Sequence, residues 1–324
     1  FHYYLCRQLK GGGMEINMRD TFVKTLIGLA EKDKDIELIT GDLGFGVLKP
    51  FWEKLPDQFT NAGIAEQNMT TVAAGMAMEG KKVFTYSIGN FPTLRCLEQI
   101  RNDCAYHNAN VNIVCVGGGF VYGSLGMSHH ATEDIAIMRS LPGVAVICPG
   151  DLLEAAEATK AIVEYPGTCY LRLGRGGEKQ VHTEITNFCI GKAIRIKEGK
   201  KIAIFSTGAI LDDVTDAVDT LEKNGISVEQ YSFPTVKPLD QEVVLDCANR
   251  FDKIVTVEEH NITGGFGSAV AEVMAENSTR ARLVRIGIND QYCTIVGTQE
   301  YLRDQYGFST DKIVRRILQE VDND

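Results

Sequence analysis

Glu66 heads "EQNMTTVAAGMAM", a run of small and apolar residues in which it is the one ionisable side chain. The run has no strongly polar face at helical spacing, so it reads as a helix buried on most sides. An acid in a first helical turn is favoured by the macrodipole and by unpaired N–H groups, which would account for an isolated Glu. The apolar surroundings add a second reading. A poorly solvated carboxylate has a raised pKa and favours a short hydrogen bond to a ring nitrogen, the arrangement that relays a proton near neutral pH.

Other chemistry-bearing residues fall in short stretches between apolar runs. His129 and His130 are adjacent in "GMSHHATED"; no His or Cys stands at i, i+4 from them, so they do not read as a metal site, and a loop His is either solvated or a proton shuttle. Arg172 and Arg175 in "YLRLGRGG" and Arg95 in "GNFPTLRC" offer planar guanidinium groups, suited to an anionic ligand or to a salt bridge. Phe91, just ahead of a Pro-started helix, is a core aromatic or a stacking platform. Asp42 and Leu43 lie in "GDLG", where a turn Asp is the plain reading. The Gly-rich turns "GDLGFG" and "GGGFVYG" follow strands, but neither has the layout of a phosphate loop or of a dinucleotide fingerprint.

These residues punctuate a regular alternation. A helix over about 18–32 precedes the strand "IELIT"; the Glu66 helix ends near Gly80 before "KVFTYS"; a helix over about 92–108 leads to "VNIVCVGGG" and a loop over 120–132. Then come "EDIAIMRS", "VAVICP", "DLLEAAEATKAIVE" and "TCYLRL", with Pro, Gly and Asp as cap signals before the last of these helices. Short β-branched runs alternating with amphipathic helices predict βα units on a mostly parallel sheet. After a relaxed, Gly-containing, hairpin-like segment a second series runs from "KIAIFSTG" through "KIVTVEEH" and "NITGGFGSAVAEVMAE" to two terminal helices. The expected organisation is two α/β domains, 14–185 and 186–324. Residues 1–13, ending in a glycine run before Met14, read as an extension outside the fold.

Composition narrows the partners. A net charge of −10 without a basic cluster disfavours nucleic acid, and no apolar run approaches the roughly 20 residues that span a bilayer. The nine cysteines are scattered, with no C-x-x-C pair, which points to free thiols in a reducing cytoplasm.

Taken together, "AGIAEQNMTTVAAGMA", "LITGDLG", "YSIGNFPTLRCLEQIRNDCA", "GMSHHATEDIAIMRSLPGVAVICPGD", "YLRLGRG" and "VTVEEHNITGGFGSAV" resemble the pyrimidine-binding and C-terminal domains of transketolases and 1-deoxyxylulose-5-phosphate synthases, from about residue 18 to the end. The resemblance implies thiamine diphosphate as cofactor. Glu66 would bond N1′ of its aminopyrimidine and promote the imino tautomer that removes the thiazolium C2 proton; Phe91 would stack on the ring, and Asp42 and Leu43 would edge the cofactor pocket. It further implies that His129, with His130 beside it, faces the reacting carbons, and that Arg175, with Arg172 as the alternative, and Arg95 bind an anionic sugar.

The family's diphosphate and magnesium motif, G-D-G with an Asn-rich end, is missing from this sequence. The resemblance therefore implies that Mg²⁺ is held mainly by a separate N-terminal transketolase subunit, in an α2β2 heterotetramer. Two positions depart from the family: Leu125 stands where an Asp reads a substrate hydroxyl, and Gly117 where transketolases have a His. An apolar wall in place of a hydrogen-bonding reader costs a hydroxylated substrate about 1–3 kcal/mol, so branched, deoxy or sulfonated sugars come into range. Ketol transfer from a ketose to an aldose is the leading activity. The alternatives are the beta subunit of a 2-oxo-acid dehydrogenase and a non-catalytic subunit of the same fold.

Overall fold

A computed structural model describes residues 17–322. The segment 1–13 read as an extension, and Cys6 with it, lie outside them. The first unit runs α1 (Met18–Ala30), β1 (Ile36–Thr40), α2 (Lys49–Lys54), β2 (Phe59–Asn61), α3 (Glu66–Met78), β3 (Lys82–Ile88), α4 (Leu97–Gln99), β4 (Val111–Val116), α5 (Asp134–Ser140), β5 (Ala145–Ile147), α6 (Leu152–Glu164) and β6 (Cys169–Leu173). The second has β7 (Ile194–Lys197), β8 (Ile202–Thr207), α7 (Leu211–Lys223), β9 (Val228–Ser232), β10 (Thr235–Lys237), α8 (Gln241–Arg250), β11 (Lys253–Asn261), α9 (Phe266–Ala275), β12 (Arg282–Ile288), α10 (Gln299–Tyr306) and α11 (Thr310–Asp322).

Two sheets result, ordered β10-β5-β6-β4-β3-β1-β2 and β12-β11-β8-β9-β7. Every pairing is parallel except β10 on β5 and β7 on β9. The strands are apolar on both faces because helices cover both. Ile36 and Leu38 of β1 and Val114 and Val116 of β4 meet Phe22 and Leu26 of α1 and Ala155 and Ile162 of α6 on one face. Ile39, Ile113 and Cys115 meet Met69 and Ala73 of α3 on the other. Fully burying a side chain such as Phe22 contributes roughly 1.5–3 kcal/mol. Asn17 and Asp151 cap α1 and α6 by accepting the Asp20 and Glu154 N–H groups at 3.0 and 2.9 Å, the second cap being the one signalled in the sequence.

The two units share more than a linker. The cluster around Met69 continues through Val236 into Phe205, Phe233 and Phe266, and β10 supplies the outer strand of the first sheet from within the second half of the chain. Residues 174–193 carry no helix or strand. They are fastened where His182 Nε2 meets Glu154 Oε1 at 2.7 Å and the Val181 and His182 N–H groups donate to Asp151.

Two expectations need correction. The helix expected over about 92–108 starts only at Leu97 and widens into a π-helical turn over Ile100–Ala105. The preceding turn is held instead by Thr93 Oγ1 donating to Gly89 O and Cys96 Sγ to Phe91 O, contacts that a helix starting at Pro92 would not make. Nor is α3 buried on most sides: Gln67, Asn68, Thr71, Val72, Gly75 and Met78 form an exposed face. Small residues with no charge describe a helix that can be buried, without fixing how much of it this chain covers itself.

Candidate active site

Parallel strands place the groups of interest at one edge. Asp42 and Leu43 follow β1, Glu66 follows β2, Phe91 follows β3, His129 lies in the loop after β4, and Arg175 follows β6. All leave the carboxyl ends of strands in the first sheet, the edge where open α/β sheets bind ligands.

Five of the expected residues join a continuous row. The buried Glu66 carboxylate accepts from Arg95 Nη1 at 2.7 Å, and the Arg95 guanidinium lies 4.4 Å from the Phe91 ring centre. Phe91 meets the His129 ring edge-on at 5.3 Å, His129 lies 6.3 Å from Tyr122, and Arg175 covers Tyr122 at 4.9 Å. Ser128 Oγ lies 3.1 Å from His129 Nδ1. Glu66 is thus not the unpartnered acid expected from its helix. Arg95, expected on the substrate, bridges the carboxylate and the aromatic ring.

Asp42 and Leu43 stand one strand aside. Asp42 has φ 56° and exchanges hydrogen bonds with Asn61, its N–H donating to Oδ1 and its own Oδ1 accepting from Nδ2. Leu43 lines an apolar cavity of about 360 Å³ with Thr40, Phe45, Trp52 and Phe59. Gly41 ties this turn to the row, since a Cβ there would lie 3.4 Å from Glu66 Cγ.

His130 does not join its neighbour. Its backbone is extended, so its side chain leaves on the opposite side from that of His129. It is buried edge-on against Phe120 with Nε2 3.3 Å from Gly123 O, and burial pushes its pKa down. The choice between Arg172 and Arg175 is equally clear in the geometry. Arg172 is buried, with Nε on Asp134 Oδ2 at 2.7 Å and Nη2 on the Ala131 and Glu259 carbonyls at 2.9 and 3.0 Å. Arg175 is exposed and has no acidic partner among the described residues.

The two departures take physical form here. Leu125 is 54% exposed beside exposed Met127 and Val296, giving the mouth an apolar lip. Gly117 has φ 97°, and a Cβ on it would lie 2.2 Å from the Tyr122 ring. The whole "GGG" run is explained by what presses on it, because Cβ atoms at Gly118 and Gly119 would lie 2.6 Å from Arg172 and from Glu259. Tyr122 and Glu259 were not singled out from the sequence; three successive glycines before an aromatic loop were their signal.

Glu259 fastens the His129 loop to the second unit. Its Oε1 accepts from the Phe120 N–H at 2.6 Å, and its Oε2 from Arg303 Nη2 at 2.6 Å and Nε at 2.9 Å. Its neighbours titrate in opposite senses. Burial pushes the Glu258 carboxyl up to about 7, although it accepts the Phe266 and Gly267 N–H groups at 2.6 and 2.8 Å. Burial pushes the His260 imidazole down to about 4. Nε2 accepts from the Ala136 N–H at 3.4 Å, which assigns the proton to Nδ1, donating to Asn261 O at 2.6 Å.

Between about 4 and the ordinary 6.5 the folded chain binds fewer protons at His260 than the unfolded chain, so this group makes stability rise with pH. From the ordinary 4.5 to about 7 the folded chain binds more protons at Glu258, and stability falls with pH. His260→Asn is expected to remove the rise, and Glu258→Gln the fall, in urea denaturation followed across that range. A variant whose pH slope matches the parent's would refute the corresponding assignment.

Among the described residues no group of three or more His, Cys, Asp or Glu could hold a metal ion, and no helix is long and apolar enough to cross a membrane. The eight described cysteines are free, all but Cys189 buried.

Comparison with known proteins fits this geometry. Residues 14–178 match the transketolase pyrimidine-binding domain and 191–313 the transketolase C-terminal domain. A putative transketolase C-terminal section from Methanocaldococcus jannaschii is 38% identical over 97% of this chain and 99% of its own length. One of the two chains of an apulose-4-phosphate transketolase from Phocaeicola vulgatus is 36% identical over 94% of this chain and 97% of its own. A solved structure described as a split gene transketolase, inactive beta4 tetramer, superposes with a TM-score of 0.85 at 32% identity, over 94% of this chain and 98% of that one. Two mostly parallel α/β units, a row of side chains along one sheet edge and full-length similarity to separate subunits lead to one assignment: the chain belongs to the transketolase family, as a subunit of the split, two-chain kind.

Proposed function

We propose that this chain supplies the pyrimidine-binding half of a thiamine-diphosphate-dependent transketolase that moves a two-carbon ketol unit from a ketose with an anionic or modified terminus to an aldose. The observation that carries the reading is the row from Glu66 through Arg95, Phe91, His129 and Tyr122 to Arg175. It puts an acid, an aromatic face, an imidazole and a free guanidinium in sequence along one edge.

The residues fit the cofactor's pyrimidine end. One Glu66 oxygen is held by Arg95, while Oε1 has no hydrogen-bond partner among the described residues and can accept from a bound ring. Phe91, half-buried, offers a face for offset stacking, with Asp42 and Leu43 at the pocket's edge. When bound, thiamine diphosphate supplies the carbon nucleophile. Glu66 holds and exchanges a proton at the pyrimidine, His129 stabilises or shuttles the proton at the substrate oxygen, and Arg175 orients the anionic terminus.

Mg²⁺ and the diphosphate are assigned mainly to a partner chain carrying the N-terminal transketolase domain, in an α2β2 assembly in the cytoplasm. The relative described as an inactive tetramer of beta chains supports the need for that partner. The division of this chain at 185/186 belongs to the same proposal, with β10 crossing back to the first sheet.

The test is to co-purify the chain with its partner and assay ketol transfer over a panel of ketoses with thiamine diphosphate and Mg²⁺. His129→Ala is expected to lower kcat by about 10²-fold. Acyl transfer to a lipoyl acceptor in place of ketol transfer would overturn the reading in favour of a 2-oxo-acid dehydrogenase subunit. Cofactor binding without turnover would instead mark a non-catalytic subunit.

A further inference from the structure

Tyr122 is the one member of the row to which the sequence assigns no role. It is 7% exposed, and its ring occupies the volume that any side chain at residue 117 would need. The Arg175 guanidinium rests on that ring at 4.9 Å, while the imidazole of His129 stands 6.3 Å away. Burial raises the phenol's pKa against the pull of Arg175 and Arg19, which keeps the ring neutral and its face available to a cation.

Arg175 opens on a cavity of about 340 Å³ at the seam of the two units, lined also by Ser124, Gly176, Thr298, Gln299 and Glu300. It is the one cation among the residues lining that cavity. A long, exposed side chain with no acidic partner samples many rotamers, and ordering it on each encounter with an anion costs affinity. The aromatic face removes part of that cost by holding the guanidinium in place beforehand.

We propose that Tyr122 is a specificity-determining residue that acts through Arg175: its ring seats the guanidinium at the seam cavity and so sets the preference for ketoses with an anionic terminus over their neutral counterparts. The inference rests on the reading of the chain as a ketol-transferring subunit, and it reaches beyond it in making selectivity a property of a pair. The space over Gly117 is closed by the same ring, so the polar reader missing at residue 117 and the aromatic at residue 122 are two aspects of one arrangement.

The experiment uses the complex of this chain with its partner. The phosphorylated ketose that wild type turns over best is compared with its dephosphorylated form, and the ratio of their kcat/KM values is the readout. Both substrates are measured on one preparation, so the ratio does not depend on the fraction folded. Tyr122→Phe keeps the ring and is expected to hold the ratio within about twofold. Tyr122→Leu is expected to lower it roughly tenfold, the scale of a cation–π contact.

Arg175→Ala should lower the ratio at least as far, and the double variant Tyr122→Leu/Arg175→Ala should lie no lower than Arg175→Ala alone, since the tyrosine acts only through the arginine. A ratio untouched by Tyr122→Leu, or two losses that simply multiply in the double variant, overturns the inference. Failure of the wild-type complex to transfer a ketol unit from any ketose overturns the functional reading instead, and is seen before any variant is made.

Discussion

Glu66→Gln is expected to lower the turnover of the reconstituted enzyme by about 10²–10⁴-fold, the range typical of removing a positioned acid–base group. The substitution keeps the side chain's size and a hydrogen-bond acceptor at the head of α3, and it takes away the charge and the exchangeable proton. Stability should change little. The Arg95 partner is 45% exposed, and an ion pair open to water on one side contributes at most about 1 kcal/mol. Unfolding midpoints close to wild type, together with the loss of turnover, would place the defect in the chemistry. Arg95→Met provides the contrast: it frees the carboxylate and uncovers Phe91 but leaves the acid in place, so its loss should be well below that of Glu66→Gln. A Glu66→Gln enzyme that keeps more than about a tenth of wild-type turnover would remove the acid from the mechanism.

The second large effect is on folding. Arg172→Met is expected to cost about 3–5 kcal/mol, because it leaves Asp134 buried without its cation. Asp134 is fully buried, its Oδ2 shared between Arg172 Nε at 2.7 Å and the Tyr170 hydroxyl at 2.5 Å. Removal of the guanidinium also orphans the Ala131 and Glu259 carbonyls, which join the His129 loop to β11. The double variant Arg172→Met/Asp134→Asn should recover part of the loss, since the cost of an unpaired buried charge disappears. Denaturant midpoints of the two variants decide the matter. Equal destabilisation in the single and double variants would show that packing, and not the stranded carboxylate, dominates.

Much of this molecule was legible because its signals are periodic. The strands "IELIT" and "VNIVCV" could be placed from their β-branched runs, and the cap at Asp151 from its position before an amphipathic run. Glu66 was conspicuous because it is the one charge in its helix. What was not legible depends on direction or on distant contacts. His129 and His130 are chemically identical neighbours, and only the extended backbone between them sends one to the row and the other into the core. Arg95 was recognised as a guanidinium, but its pairing with Glu66 arises where a π-helical turn and α3 converge. Tyr122 was hidden because its meaning lies in the glycine it covers. The strand β10 is three residues long and gains its identity from β5, nearly 90 residues earlier in the chain, and no local pattern could announce it.

That strand also constrains how the protein is made. As the chain leaves the ribosome, the first sheet can assemble through β6 while the outer ladder of Ala145–Ile147 still lacks its antiparallel mate, Thr235–Lys237. Until that mate arrives, an apolar edge lies open to any other nascent strand, the state from which misassembly and aggregation begin. A fragment ending before Thr235 would keep that edge permanently. The two halves are therefore separable in description but not in synthesis: the earlier half is finished only by a piece of the later one.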